Sequence, residues 1–228
     1  MRIKIKNPDC ANAISPSIKV SFPPTMMKIY TALSILVIGL HSGIAQDAES
    51  VQVKGEKLQI NSIQTPQFQA SNVGEKRWRP KDWLEVDLPF EIKLANAAGG
   101  RNGSLSVMTV NYYIGLNAQN KEGKFEVIKG VFNYIDIPAS EKCHALAYVA
   151  PASLRRLLGK DGFTTSDIKA WGYEIMVDGK RIAGDSSIGN AWWEKGDSFS
   201  MNDGVLLAKT DTPFGILWGD YDVSAKKN

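Results

Sequence analysis

The chain has 228 residues, 43% hydrophobic and 22% charged, and its 27 Lys and Arg against 24 Asp and Glu give a formal charge of +3. That excess belongs to the first 45 residues, which hold five basic side chains (Arg2, Lys4, Lys6, Lys19, Lys28) and one acidic, Asp9, so residues 46–228 keep 22 basic and 23 acidic groups. A near-neutral chain of that length has room for one packed core, offers no electrostatic footprint for nucleic acid, and has no Lys/Arg cluster long enough to suggest anionic lipid.

Residues 1–25 show no helical or alternating apolar period and read as an upstream leader outside the native protein. Residues 26–45, "MMKIYTALSILVIGLHSGIA", have the form of a secretory signal. Lys28 supplies the charged start, Ile29 to Leu40 the apolar run, and Gly43 and Ala45 the small side chains a signal peptidase accepts. The run is about a dozen residues, short of the roughly 18–20 that span a bilayer. Cleavage before Gln46 is expected, with retention as an uncleaved anchor the lesser alternative. No cysteine follows the run to carry a lipid.

Residues 46–56 are polar and read as a flexible lead-in; a single domain is expected over 57–223, with 224–228 a frayed tail. A first strand is expected in "KLQINSIQTPQF". In "WLEVDLPFEIKL" (83–94), Leu84, Val86, Leu88, Phe90, Ile92 and Leu94 alternate with mostly polar residues, the mark of a half-buried antiparallel strand. Pro89 cannot donate to a ladder, so this strand lies at an edge or is interrupted there. A turn at 96–104 leads to a strand with Met108, Val110, Tyr112, Ile114 and Leu116 on one face. "NKEG" (120–123) closes a hairpin into "KFEVIKGVFNYIDIP", where Gly130 suggests a bulge. "KCHALAYVA" is the next strand. Pro151 opens and Gly159 closes a short helix with Leu154, Leu157 and Leu158 inward. Trp171, Tyr173, Ile175 and Val177 share a face before an Asp178-Gly179 hairpin. The C-terminal "GVLLAKTDTPFGILWGDYDV" adds one or two strands. These elements predict an all-β fold: an antiparallel two-sheet sandwich, immunoglobulin-like, with one short connecting helix. A jelly roll or closed barrel is the runner-up.

Removing the leader also removes Cys10 and His41, leaving Cys143 and His144, which are adjacent. One cysteine and one histidine make no zinc framework and no internal disulfide. In a strand they point to opposite faces, so the thiol has no base within reach. No nucleophile elbow, P-loop or H-E-x-x-H is present, and the acidic "NDG" (202–204) and "DYD" (220–222) lack the spaced ligands of a calcium loop. No catalytic residue, metal or cofactor is expected; a hydrolase with an unfamiliar carboxylate site is the least favoured reading.

All six tryptophans lie in residues 46–228. Trp171 reads as core. Trp78, in "KRWRPKDW", and the Trp192–Trp193 pair, in "GNAWWEKGD", sit in polar loop-like surroundings and are the candidate partner-binding residues. The bland alternative is that these rings fold back to lid the sandwich.

"WLEVDLPFEIKL", "FNYIDIPASEKCHALAYVAPASLRRLLG" and "KAWGYEIMVDGKRIAG" together resemble the immunoglobulin-like proteins encoded in pilus-associated loci of Verrucomicrobia, of the type described in Akkermansia. The likeness runs from about Lys57 to Trp218 and transfers no site residues. It implies secretion or display at the cell envelope and a part in type IV-like pilus formation or self-assembly. The mature chain lacks a long prepilin-like N-terminal helix, which implies an accessory protein. The leading functional expectation is a non-enzymatic envelope or surface protein that binds other proteins, pilus components or copies of itself. A carbohydrate-binding module using the loop tryptophans is the alternative.

Overall fold

The computed structural model describes residues 50–226 apart from Ala70, Glu75 and Asn190. The leader, the signal segment, the start of the lead-in and the last two residues lie outside the described residues. The described strands are β1 (Val51–Gly55), β2 (Gln59–Gln64), β3 (Asp82–Leu94), β4 (Ser104–Gln119), β5 (Phe125–Pro138), β6 (Lys142–Val149), β7 (Ile168–Val177), β8 (Lys180–Ser186), β9 (Phe199–Asn202) and β10 (Leu206–Ala208). Helix α1 (Pro151–Leu158) joins β6 to the turn before β7.

The strands form two sheets. The first has the order β1-β3-β6-β10, with β2 also on β3; the second has the order β8-β7-β4-β5-β9. Rows β1/β2-β3-β6 and β8-β7-β4-β5 reproduce the A-B-E and G-F-C-C′ order of an immunoglobulin-type sandwich. The place beside strand E is filled by β10, from near the C-terminus. One pairing departs from the all-antiparallel expectation, since β9 runs parallel to β5.

Alternation builds the core as expected. Leu84, Val86, Leu88, Phe90 and Ile92 of β3 face Met108, Val110, Tyr112, Ile114 and Leu116 of β4, and all are buried in one apolar cluster. Inside this cluster the Tyr112 and Tyr134 hydroxyls lie 3.1 Å apart, and they donate to the carbonyls of Ala145 and Leu146. Buried phenols are thus satisfied, and among the described residues no buried side-chain nitrogen or oxygen lacks a partner. Helix α1 packs Leu154 and Leu157 inward and ends at Gly159 (φ 67°), whose N–H donates to Arg155 O.

The structure corrects three local expectations and completes two. The lead-in is not featureless, because Val51 and Val53 alternate toward the core and β1 pairs with Phe90–Leu94 of β3. Nor does the ordered chain stop at 223: Ala225 bridges Tyr134, and the Lys226 N–H donates to Asn133 O at 2.7 Å. Strand β3 is central, flanked by β6 and by β1 with β2, and Pro89 sits where β1 has ended and β2 has not begun. Its carbonyl still accepts the Glu56 N–H there. Gly130 makes no bulge. It pairs in register with Tyr112, and a Cβ there would meet Leu206 Cβ at 2.9 Å, so close approach is what demands glycine. Finally, the C-terminal stretch supplies β10, within the one or two strands expected. Residues 209–223 form a strap over the outer face of the first sheet, where Phe214 packs with Trp83, Leu146 and Tyr148.

Candidate functional site

The three candidate tryptophans part company. Trp192 and Trp193 are 3% and 5% exposed, so they are not surface anchors. They sit in a 3₁₀ turn (Trp192–Glu194) folded against the outer face of the second sheet with Tyr113, Val127 and Ala170. Trp193 stacks on Tyr113 at 4.3 Å between ring centroids, and Trp192 donates its indole N–H to Trp171 O at 3.2 Å. Gly172 and Gly115 provide the flat seats. A Cβ on Gly172 would lie 2.8 Å from Trp193 Cε3, and one on Gly115 would lie 3.1 Å from Trp192 Cη2. Glycines at outward positions of two strands were the available sequence signal for a large ring lying across them.

Trp78 is different: it is 52% exposed. It belongs to the β2–β3 connection, whose neck is pinched by Thr65 and Lys81. Thr65 N–H donates to Lys81 O at 3.0 Å, Lys81 N–H donates to Thr65 Oγ1, and Trp83 Nε1 also donates to that hydroxyl at 3.1 Å. A loop with ends tied this closely is an Ω-type loop, a class often functional. Phe68 and Val73 are exposed in the same loop, and so are Lys76, Arg77, Arg79 and Lys81. No ion pair among the described residues involves those four cations. Three apolar side chains held out in water beside four positive charges form a surface that the domain core does not use.

The strap lies next to this neck. Trp83, which follows the neck, meets Phe214 edge-on at 5.6 Å, and Ile63 of β2 and Leu217 of the strap pack on the same small cluster. Either side of Leu217, Ile216 (78% exposed) and Trp218 point outward, and Tyr221 is also exposed. Trp218 takes φ 52°, a left-handed backbone that costs a bulky residue on the order of 1–3 kcal/mol. Its carbonyl accepts both Lys209 Nζ at 3.0 Å and the Tyr221 N–H at 3.0 Å, which hold it there. Lys209 is buried and also pairs with Asp222. Asp211 and Asp220 are exposed and enter no ion pair among the described residues.

Beneath the strap, the Cys143–His144 neighbours diverge as strand geometry requires. Cys143 enters the core, where burial, and then the Glu141 carboxylate, push its thiol up to about 11, so it is no nucleophile at neutral pH. His144 faces outward and places Nδ1 2.8 Å from Asp87 Oδ1. The Tyr221 hydroxyl donates to Asp87 Oδ2 at 2.8 Å, and its ring stacks on the imidazole at 4.2 Å. Asp87 is 3% exposed and needs both donors to be tolerated there. Burial, then the hydrogen bond to Asp87, push the Tyr221 hydroxyl up to about 12, which keeps it protonated at neutral pH, and the Val223 N–H donating to His144 O makes the trio a clamp for the strap. Among the described residues no group of three or more His, Cys, Asp or Glu could hold a metal ion, and no helix is long and apolar enough to cross a membrane.

The strap side chains Ile216, Trp218 and Tyr221 were not singled out from sequence. The cue was available in "TPFGILWGDYD", whose two glycines and proline with no apolar alternation argue against a strand.

A family model matches residues 44–228, and the chain belongs to that family. Among solved structures, the crystal structure of a protein from Akkermansia muciniphila aligns with a TM-score of 0.70 at 24% identity, covering 78% of this chain and 94% of that one. At that identity the likeness carries the fold. No curated protein matches the chain.

Proposed function

We propose that this family member is an exported cell-envelope or surface protein that works by holding other proteins, as an accessory to pilus-type assemblies and not as an enzyme. The observation that carries the reading is the pinched loop, in which Trp78, Phe68 and Val73 are exposed beside four cations. Exposed aromatics of this kind anchor protein interfaces, where Trp and Arg dominate binding energy. Support for the setting comes from the signal-like residues 26–45 and from the fold shared with an Akkermansia protein, which agrees with the verrucomicrobial resemblance. Burial of Trp192 and Trp193 leaves the sugar-stacking alternative with Trp78, of the three candidates, and with the exposed Trp218 of the strap.

A photo-crosslinking amino acid at position 78, introduced in native cells, tests this reading. Irradiation followed by fractionation of cytoplasm, envelope and sheared surface fibres should give discrete protein adducts in the envelope or fibre fractions. Absence of any protein adduct, or recovery of the chain in the cytoplasm, overturns it.

A further inference from the structure

The exposed loop and the exposed strap carry opposite charge and share one base. The loop presents Lys76, Arg77, Arg79 and Lys81, opposed in sequence by Glu75 alone. The strap presents Asp211 and Asp220, while its one cation, Lys209, is buried and committed to Asp222. Both display apolar side chains outward: Phe68, Val73 and Trp78 on the loop, and Ile216 and Trp218 on the strap. The Trp83–Phe214 contact and the packing of Ile63 and Leu217 on the same cluster set the base of the strap against the neck of the loop, so the two halves adjoin.

We propose that this face is a self-complementary interface for a second copy of the chain, related to the first by a two-fold axis. The proposal rests on the protein-binding reading above and names the partner. A face divided into a basic half and an acidic half repels a copy set down in the same orientation. It attracts one rotated by half a turn, because the loop of each protomer then meets the strap of the other. That is the isologous arrangement, in which residue i contacts j and j contacts i. Here Arg77 and Arg79 oppose Asp211 and Asp220 twice over, with aromatics at the centre and charges at the rim, the usual anatomy of a specific interface.

The area is consistent with a dimer. The five exposed apolar side chains, each more than half exposed, offer on the order of 100 Å² apiece, so about 500 Å² per protomer against the ~800 Å² of a standard interface. The surrounding charged side chains supply the remainder. Trp218 adds to the case, since its left-handed backbone is held by two hydrogen bonds with its ring turned to water.

Reciprocal charge reversal tests the geometry. One whole-chain variant carries Arg77→Glu and Arg79→Glu, the other Asp211→Lys and Asp220→Lys; all four side chains are exposed, and circular dichroism checks that both variants fold. Wild type should sediment as a dimer whose dissociation constant rises on the order of ten-fold as salt increases from low to high, because rim charges are screened. Each variant alone should be monomeric at concentrations where wild type is dimeric. Their equimolar mixture should recover the dimer, since both loop–strap contacts are attractive in the heterodimer and neither is in the homodimers. A wild type monomeric at every concentration, variants that remain dimeric, or a mixture that stays monomeric each overturns the proposal. Adducts at position 78 with a different protein would leave the protein-binding reading standing while refuting the second copy as partner.

Discussion

Replacing Gly172 with alanine adds one methyl group, yet it should unseat an entire tryptophan. The new Cβ would sit 2.8 Å from Trp193 Cε3, 2.9 Å from Cη2, and closer still to Cζ3. Carbon–carbon contacts are optimal near 3.5–4.0 Å, so the indole must lift away from the sheet. Trp193 is 5% exposed, and an indole of that burial removes roughly 200 Å² from water. At about 25 cal/mol per Å² this sets a ceiling of about 5 kcal/mol, to which the Tyr113 stack adds about 1 kcal/mol. Partial re-docking, and the roughly 0.5–1 kcal/mol by which alanine stiffens a strand relative to glycine, reduce the expected loss to about 2–4 kcal/mol. Urea denaturation followed by far-ultraviolet circular dichroism measures the loss, and near-ultraviolet dichroism should report the broken stack. The double variant Gly172→Ala/Trp193→Ala separates clash from general damage. With the ring gone there is nothing to strike, so the second substitution should add little to Trp193→Ala alone. Gly196, where a Cβ meets nothing within 4 Å, is the control and should tolerate alanine. A loss below about 0.5 kcal/mol for Gly172→Ala, or strict additivity in the double variant, would refute the lid as described.

Lys209→Met should cost about 3 kcal/mol, because it leaves the largely shielded Asp222 carboxylate, 11% exposed, without its cation; chemical denaturation measures this, and adding Asp222→Leu should restore most of the loss. Trp78→Ala should change stability by less than about 0.5 kcal/mol while abolishing partner binding in the native extract, because its ring is exposed. Alkaline pH should melt the fold early. Burial, then the Glu174 carboxylate, raise Tyr113 to about 12, and burial, then Asp185, raise Tyr173 to about 12, whereas unfolded phenols titrate near 10. Folded pKa values above the unfolded ones give stability that is complete below about pH 10 and falls as pH rises toward 12. Melting temperatures recorded from pH 8 to 12 should therefore begin to fall near pH 9, where the thiol of Cys143 ionises in the unfolded chain, and fall most steeply above pH 10; a flat profile would contradict the burial of these groups.

Much of the sandwich was legible because period-two alternation needs only local information. The inward faces of β3 and β4 could be read residue by residue, and Asp178-Gly179 and Pro151…Gly159 fixed a hairpin and a helix by backbone chemistry alone. Alternation stays silent about neighbours, which is why Pro89 left both an edge strand and an interruption open, and the structure shows the interruption. Its missing donor is harmless in a central strand because β1 and β2 leave a gap opposite it. Gly130 was misread for a related reason: its constraint comes from Leu206, 76 positions away in sequence, and not from its own strand. Polar sequence neighbours left Trp192 and Trp193 open to two readings, exposed anchors or rings folded back on the sandwich; the second holds, and their seats at Gly115 and Gly172 lie on β4 and β7.

The same logic explains why the interaction face falls where it does. A two-sheet sandwich buries its inner faces by construction, and each outer face must be wetted, covered or offered to a partner. On the second sheet, the Trp192–Trp193 turn covers the apolar patch around Tyr113 and Val127. On the first, the strap covers Trp83, Leu146 and Tyr148 through Phe214, and it is locked by three separate polar contacts: Lys209 to Asp222, Tyr221 to Asp87, and the Val223 N–H to His144 O. Covering one apolar patch with a segment that itself turns Ile216 and Trp218 outward moves the exposed surface one layer out and does not remove it. A strap serving stability alone could have carried polar residues at those positions. Replacing Ile216 and Trp218 with serine should therefore leave the unfolding midpoint near that of wild type while eliminating self-association in sedimentation. A midpoint shift larger than the association effect would show that these side chains serve the fold and not a partner.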